Sequence, residues 1–202
     1  MTDQRSWLPA GAAGLLAAMG LVPPLRHGLE GSMTAQMLVQ LPLLVWAGWL
    51  CRAAVPAGWQ FRMQRWNAGG VAGLVLVSVV AAFWMLPRSL DAATTDSAMA
   101  VAKHLSVPLL IGLPMALSWP RMGFVVRGLF LAESVAMLFR LGWLYRVSPV
   151  RLCNNYGLND QQRLGGYLLV LGGALLAWLA WKVLWGGVAS LQATERAAKP
   201  GL

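Results

Sequence analysis

The stretch Leu164–Trp185, LGGYLLVLGGALLAWLAWKVLW, runs for 22 residues with a single charge, Lys182. A hydrocarbon core roughly 30 Å thick takes about 20 apolar residues of α-helix, so this run is long enough to cross a membrane. Five further runs of similar character precede it: Trp7 to Val22, Met33 to Leu50, Gly69 to Leu86, Met99 to Trp119 and Phe124 to Tyr145. The predicted fold is all-α, a polytopic transmembrane helix bundle of six helices that forms a single membrane domain over residues 1–202. The first run is the shortest. Pro23 and Pro24 follow it with no small-x-small cleavage site, so it reads as a retained helix ended by proline rather than a secretory signal. The longest gaps, Cys51 to Ala68, Arg88 to Ala98 and Arg146 to Arg163, leave no room for a soluble domain.

Composition agrees with this pattern. The chain is 58% hydrophobic and 11% charged with a positive mean hydropathy, outside the range of ordinary soluble domains. Eleven tryptophans against three tyrosines suit two membrane interfaces, where the amphipathic indole settles. The net charge of +9 comes from 16 Lys and Arg residues scattered between apolar runs, which points to loops facing anionic lipid and not to nucleic acid. Cys51 and Cys153 lie far apart and neither belongs to a C-x-x-C pair, so a structural zinc site or redox dithiol is not expected.

The distribution of charge predicts a cytoplasmic amino terminus. Arg5, Arg52, Arg62, Arg65, Arg121, Arg196 and Lys199 then fall inside, while Arg26, Arg88, Arg146 and Arg151 fall outside with the acids Glu30, Asp91, Asp96 and Asp160, and Arg163 lies at a boundary. Cys51 and Cys153 are placed on opposite sides, and the three outer loops share one face.

Chemistry-bearing residues are few. Met33, Gln36, Met37 and Gln40 recur at i, i+3, i+4 and i+7 on the second run, a stripe expected to point into the bundle because glutamine amides need hydrogen-bond partners there. Their thioethers suit Cu(I), but spacing alone favours gap-filling methionines and helix-bridging amides. His27 and His104, the only histidines, lie near the same face as Met33, Met37, Met85 and Met99. Glu133, Met137 and Arg140 share a face of the fifth run. A seven-residue step rises roughly 10 Å, so Glu133 is expected to need a proton or a partner on another helix. Asp160 and Gln161 are expected to close the last outer loop onto the sixth helix, with the carboxylate capping its free amides. The chain contains no G-x-S-x-G, Walker loop or H-E-x-x-H, and it reads as a non-enzyme.

Three separated stretches resemble the CtaG family of cytochrome c oxidase assembly factors, polytopic bacterial proteins linked to copper loading of haem-copper oxidases. The first runs from Leu21-Val22-Pro23-Pro24-Leu25 through Ser32-Met33-Thr34-Ala35-Gln36-Met37 to Leu41-Pro42-Leu43-Leu44 and is similar to that family's proline-ended helix and H-M-x-x-H segment. The second holds Trp84-Met85-Leu86-Pro87, Leu90-Asp91-Ala92-Ala93, Lys103-His104-Leu105 and Ser118-Trp119-Pro120, similar in order to W-H-x-P, Y-D-A-A, E-H-L and W-W-P. The third is Tyr156 with Asp160-Gln161-Gln162 and Gly165-Gly166, similar to D-Q-Q-x-x-G. Ser32, Gln36 and Met85 stand where the family motifs have histidines, and of those histidines His104 alone remains.

The resemblance implies a multi-pass protein of a bacterial inner (cytoplasmic) membrane, an accessory or assembly protein of a haem-copper respiratory oxidase. Two readings stay open. In one, Met33, Met37, Met85, Met99 and His104 hold copper as Cu(I) at the periplasmic face. In the other, the chain is a non-catalytic structural subunit of a respiratory or copper-containing membrane complex. A small transporter would rest on Glu133 and Arg140 alone.

Overall fold

The computed structural model describes residues 9, 11–16, 28–153 and 155–198, and among them there is helix and no strand. Seven helices follow the start of the second apolar run: α1 Met33–Ala54, α2 Ala57–Trp66, α3 Val71–Met85, α4 Pro87–Thr95, α5 Ser97–Arg121, α6 Phe124–Val147 and α7 Leu158–Ala198. The protein is an all-α helical bundle of the membrane. By length and apolarity α1, α5 and the segment Leu158–Trp185 of α7 are able to cross a bilayer, and α3 with α4 forms a fourth candidate bent by 68°. The bend falls where Leu86, extended at φ −68° and ψ 127°, precedes Pro87 at the first turn of α4. The expected helix at 7–22 lies largely outside the described residues, which show helix at 11–16 within it. α6 has 24 residues, enough to span, but it carries Arg127, Glu133, Arg140 and Arg146.

Two of the expected gaps are helical. α2 fills the connection after Cys51, and α4 fills most of the one after Arg88. Both α1 and α5 contain a π-turn, at Gln36–Gln40 and Val107–Gly112. A proline ring collides with the carbonyl four residues before it, and the carbonyls in question, Leu38 for Pro42 and Leu110 for Pro114, lie inside these wide turns.

Helices pack closely where glycine allows it. A Cβ at Gly48 of α1 would collide with the Pro108 carbonyl of α5, and one at Gly112 with the Val45 carbonyl, so these two backbones touch. α6 and α7 run alongside each other and meet similarly at Gly142 and Gly165. The core between them holds Leu44, Val107, Tyr145 and Leu164, all buried. An apolar cavity of about 510 Å³ opens between α1, α3, α5, α6 and α7.

Candidate functional site

At the end of the bundle where α1 begins and α6 ends, polar side chains from four parts of the chain meet. The π-turn of α1 puts Gln36 and Gln40 on the inner face, both fully buried, as the stripe predicted. Lys103 of α5 is also fully buried. Its Nζ donates to Glu30 Oε1 at 2.8 Å and to Gln40 Oε1 at 3.0 Å, and Gln40 Nε2 reaches Glu30 Oε1 at 3.5 Å. A buried ammonium costs several kcal/mol unless a counter-ion and further acceptors meet it, and this triangle supplies both. The Tyr156 hydroxyl lies 2.8 Å from the Glu30 carbonyl and 2.9 Å from Gln36 Oε1, so its one proton serves either oxygen. Burial, aided by the negative charge of Glu30, pushes the Tyr156 hydroxyl well above its ordinary pKa and keeps it a donor.

Asp160 corrects an expectation. Its carboxylate accepts from Met33 N at 2.6 Å, from Ser32 Oγ at 3.1 Å and from Thr34 Oγ1 at 3.1 Å. It therefore closes the amino end of α1 and not that of its own helix α7. The physical reason is placement: Asp160 sits inside the first turn of α7, beside the free amides that open α1. Gln161 does close the last loop, accepting from Leu152 N at 2.9 Å and donating to the Tyr145 carbonyl at 3.3 Å. In that loop Asn155 N donates to Asp91 Oδ1 at 3.1 Å, tying α4 to the segment before α7. Cys153 is buried with its Sγ 3.5 Å from the Pro87 carbonyl. Burial, then the charge of Asp91, pushes its thiol up to about 11.

Of the five expected metal donors, Met33 and Met37 belong to one buried cluster, with Met85 and Met99 packed against it. Met37 and Met85 line the apolar cavity beside Trp46, Trp49 and Trp84. Met33 is buried in the core and Met99 packs against it. His104 is half-buried on α5, its Nδ1 2.8 Å from the Ala100 carbonyl one turn back, and it is not on the cavity wall. His27 lies outside the described residues. As a copper cradle the cavity is incomplete: two neutral thioethers face hydrocarbon and indole, with neither imidazole nor carboxylate on the same wall. Among the described residues no three His, Cys, Asp or Glu side chains are grouped to share a metal ion.

Glu133 and Arg140 also depart from expectation. They pair directly on α6, Arg140 Nη1 to Glu133 Oε1 at 3.0 Å, with side chains 64% and 58% exposed. Helical side chains lean toward the amino terminus, so the long arginine reaches back across two turns and closes a gap that the rise alone leaves open.

Lys103 and Glu30 are the site residues that sequence reasoning missed as a pair. The signal was Gln36 and Gln40, whose inward stripe demanded polar partners, and Lys103 is one of only three lysines in the chain. Ser32, Gln36, Asp91, Lys103, Tyr156 and Asp160, drawn from three separated stretches, thus share one end of the fold. Compared with models of protein families, with curated proteins and with solved structures, the chain gives no match.

Proposed function

We propose that this chain is a non-enzymatic accessory or assembly protein of a haem-copper respiratory oxidase in a bacterial inner membrane, acting through contact with other membrane proteins. In this reading both termini are cytoplasmic and the Lys103 cluster is periplasmic. The observation that carries it is convergence: the three stretches that resemble the oxidase assembly family meet at one end of the bundle, the first joined to the third by Asp160 to Ser32 and Tyr156 to Gln36, and to the second by Lys103 to Gln40. The cluster's hydrogen bonds serve to fix α1, α5 and the last loop against one another, which suits a shaped docking end better than a reacting centre.

Purification from the native membrane in mild detergent tests the reading. An assembly protein accompanies immature oxidase below one copy per complex, whereas a permanent subunit stays at fixed ratio. Absence from every oxidase-containing fraction, in cross-linked as well as untreated membranes, overturns both.

Copper handling carries less of the reading than docking does, and Met37 and Met85 are its remaining joint donors. Thioethers bind Cu(I) without losing a proton. Anaerobic titration of purified protein with Cu(I) against a competing chelator separates the two. Uptake by wild type that is lost in Met37→Leu/Met85→Leu supports a thioether site, with His104→Ala showing whether imidazole takes part. No uptake by wild type leaves docking alone.

A further inference from the structure

The opposite end of the bundle is chemically different. α2 connects α1, which ends at Ala54, with α3, which begins at Val71, so it lies where two membrane-crossing segments emerge on one side. It is anchored at both ends. Gln60 Nε2 donates to the Val55 carbonyl at 2.8 Å, and Asn67 Nδ2 donates to Ser118 Oγ of α5 at 2.7 Å. Between these anchors Phe61, Arg62, Met63, Arg65 and Trp66 face outward.

Trp59, Met63 and Trp66 recur at i, i+4 and i+7, an apolar stripe that is exposed along its length, Trp66 to 83%. Arg62 and Arg65 run along one side of the stripe, and with Trp66 they line a surface hollow of about 480 Å³. No acidic residue occurs from Gly31 to Leu90, or from Ser97 to Ala132, so the connections at this end are basic throughout. A short anchored helix with indoles on one stripe and guanidiniums beside it has the composition of a segment lying in the headgroup layer.

We propose that α2 is a binding site for anionic phospholipid, in which Arg62 and Arg65 hold the phosphate of an acidic headgroup while Trp59, Met63 and Trp66 sit at the boundary with the acyl chains. Guanidinium suits this role because its planar fork meets two phosphate oxygens at once and is weakly hydrated. The anchors make it efficient, since the helix is already in place before lipid arrives. This assignment stands apart from the oxidase reading, which concerns the other end of the bundle.

The experiment uses the full chain in phosphatidylcholine bilayers doped with brominated phosphatidylglycerol or, separately, brominated phosphatidylcholine, read by tryptophan quenching. Comparison with Trp59→Phe/Trp66→Phe isolates the α2 signal from the remainder of the eleven tryptophans. The expected result is stronger quenching by the anionic lipid at low salt, a preference that shrinks as salt rises. Arg62→Gln/Arg65→Gln should lower it by about fivefold per arginine, while Arg62→Lys/Arg65→Lys retains most of it. Inorganic phosphate at constant ionic strength should not compete. Equal quenching by the two lipids in wild type, an unchanged preference in the glutamine variant, or displacement by free phosphate would each overturn the proposal.

Discussion

Two ion pairs of nearly equal length lie in opposite surroundings. Lys103 and Glu30 meet at 2.8 Å with side chains 0% and 9% exposed, whereas Arg140 and Glu133 meet at 3.0 Å with both side chains more than half exposed. The first joins segments 73 residues apart and draws in Gln40; the second lies within one helix. Distance therefore says little about weight. Desolvation makes the buried pair costly to break, because removing one charge leaves the other in a medium that cannot hydrate it. The exposed pair lies on the outward face of α6 and joins two residues of one helix, so it ties no other part of the chain in place.

The sharpest way to break this contrast is Lys103→Met. It should destabilise the folded protein in detergent by about 3–5 kcal/mol, measured by thermal or denaturant unfolding. Adding Glu30→Gln should recover much of the loss, since replacing both charges removes the desolvation cost as well. A single variant as stable as wild type would mean that the cluster is not a structural centre. Asp160→Ala comes next, with about 2 kcal/mol expected from the loss of charge-assisted bonds to Ser32, Met33 and Thr34. Backbone amide exchange should rise at the start of α1 before it rises at the start of α7; the reverse order would return the carboxylate to its own helix.

Cys153 sharpens the comparison at the loop that covers the buried pair. Its thiol pKa is raised from 9.0 to about 11, so the folded protein holds that proton more tightly than the unfolded chain does. The associated stability is complete below pH 9 and is lost as pH rises through 11. At pH 8, maleimide should modify half-buried Cys51 well before Cys153. Equal rates in the native protein would show that the loop opens freely. A labelling test of sidedness accordingly needs a cysteine introduced at an exposed loop position such as Val150.

Much of the architecture was legible because apolar length and proline placement act locally. The runs beginning at Met33, Met99 and Phe124 became α1, α5 and α6 within a few residues at either end, and the inward stripe of Gln36 and Gln40 followed from helical periodicity. What a stripe faces is not local. Periodicity placed Gln40 inside but could not nominate Lys103, and it put Asp160 at a helix start without showing that α1 opens beside it. Glu133 misled for a different reason: helical rise measures backbone separation, while arginine spans the remainder with its side chain. Met33 and Met37 share the buried cluster as their common stripe implies, yet only the packing shows that Met37 also lines the cavity with Met85.

The union of α1 with α5 and the last loop also has a dimension in time. Gln40 precedes its Lys103 partner by 63 residues, and Ser32 precedes Asp160 by 128. At roughly 5–20 residues per second of synthesis, these intervals are about 3–13 s and 6–26 s. Throughout the first, α1 has left the ribosome with two amides that hydrocarbon cannot satisfy and without the ammonium that will meet one of them. α1 is thus a poor resident of the lipid on its own, and α5 brings both the ammonium that meets Gln40 and the backbone that fits against Gly48.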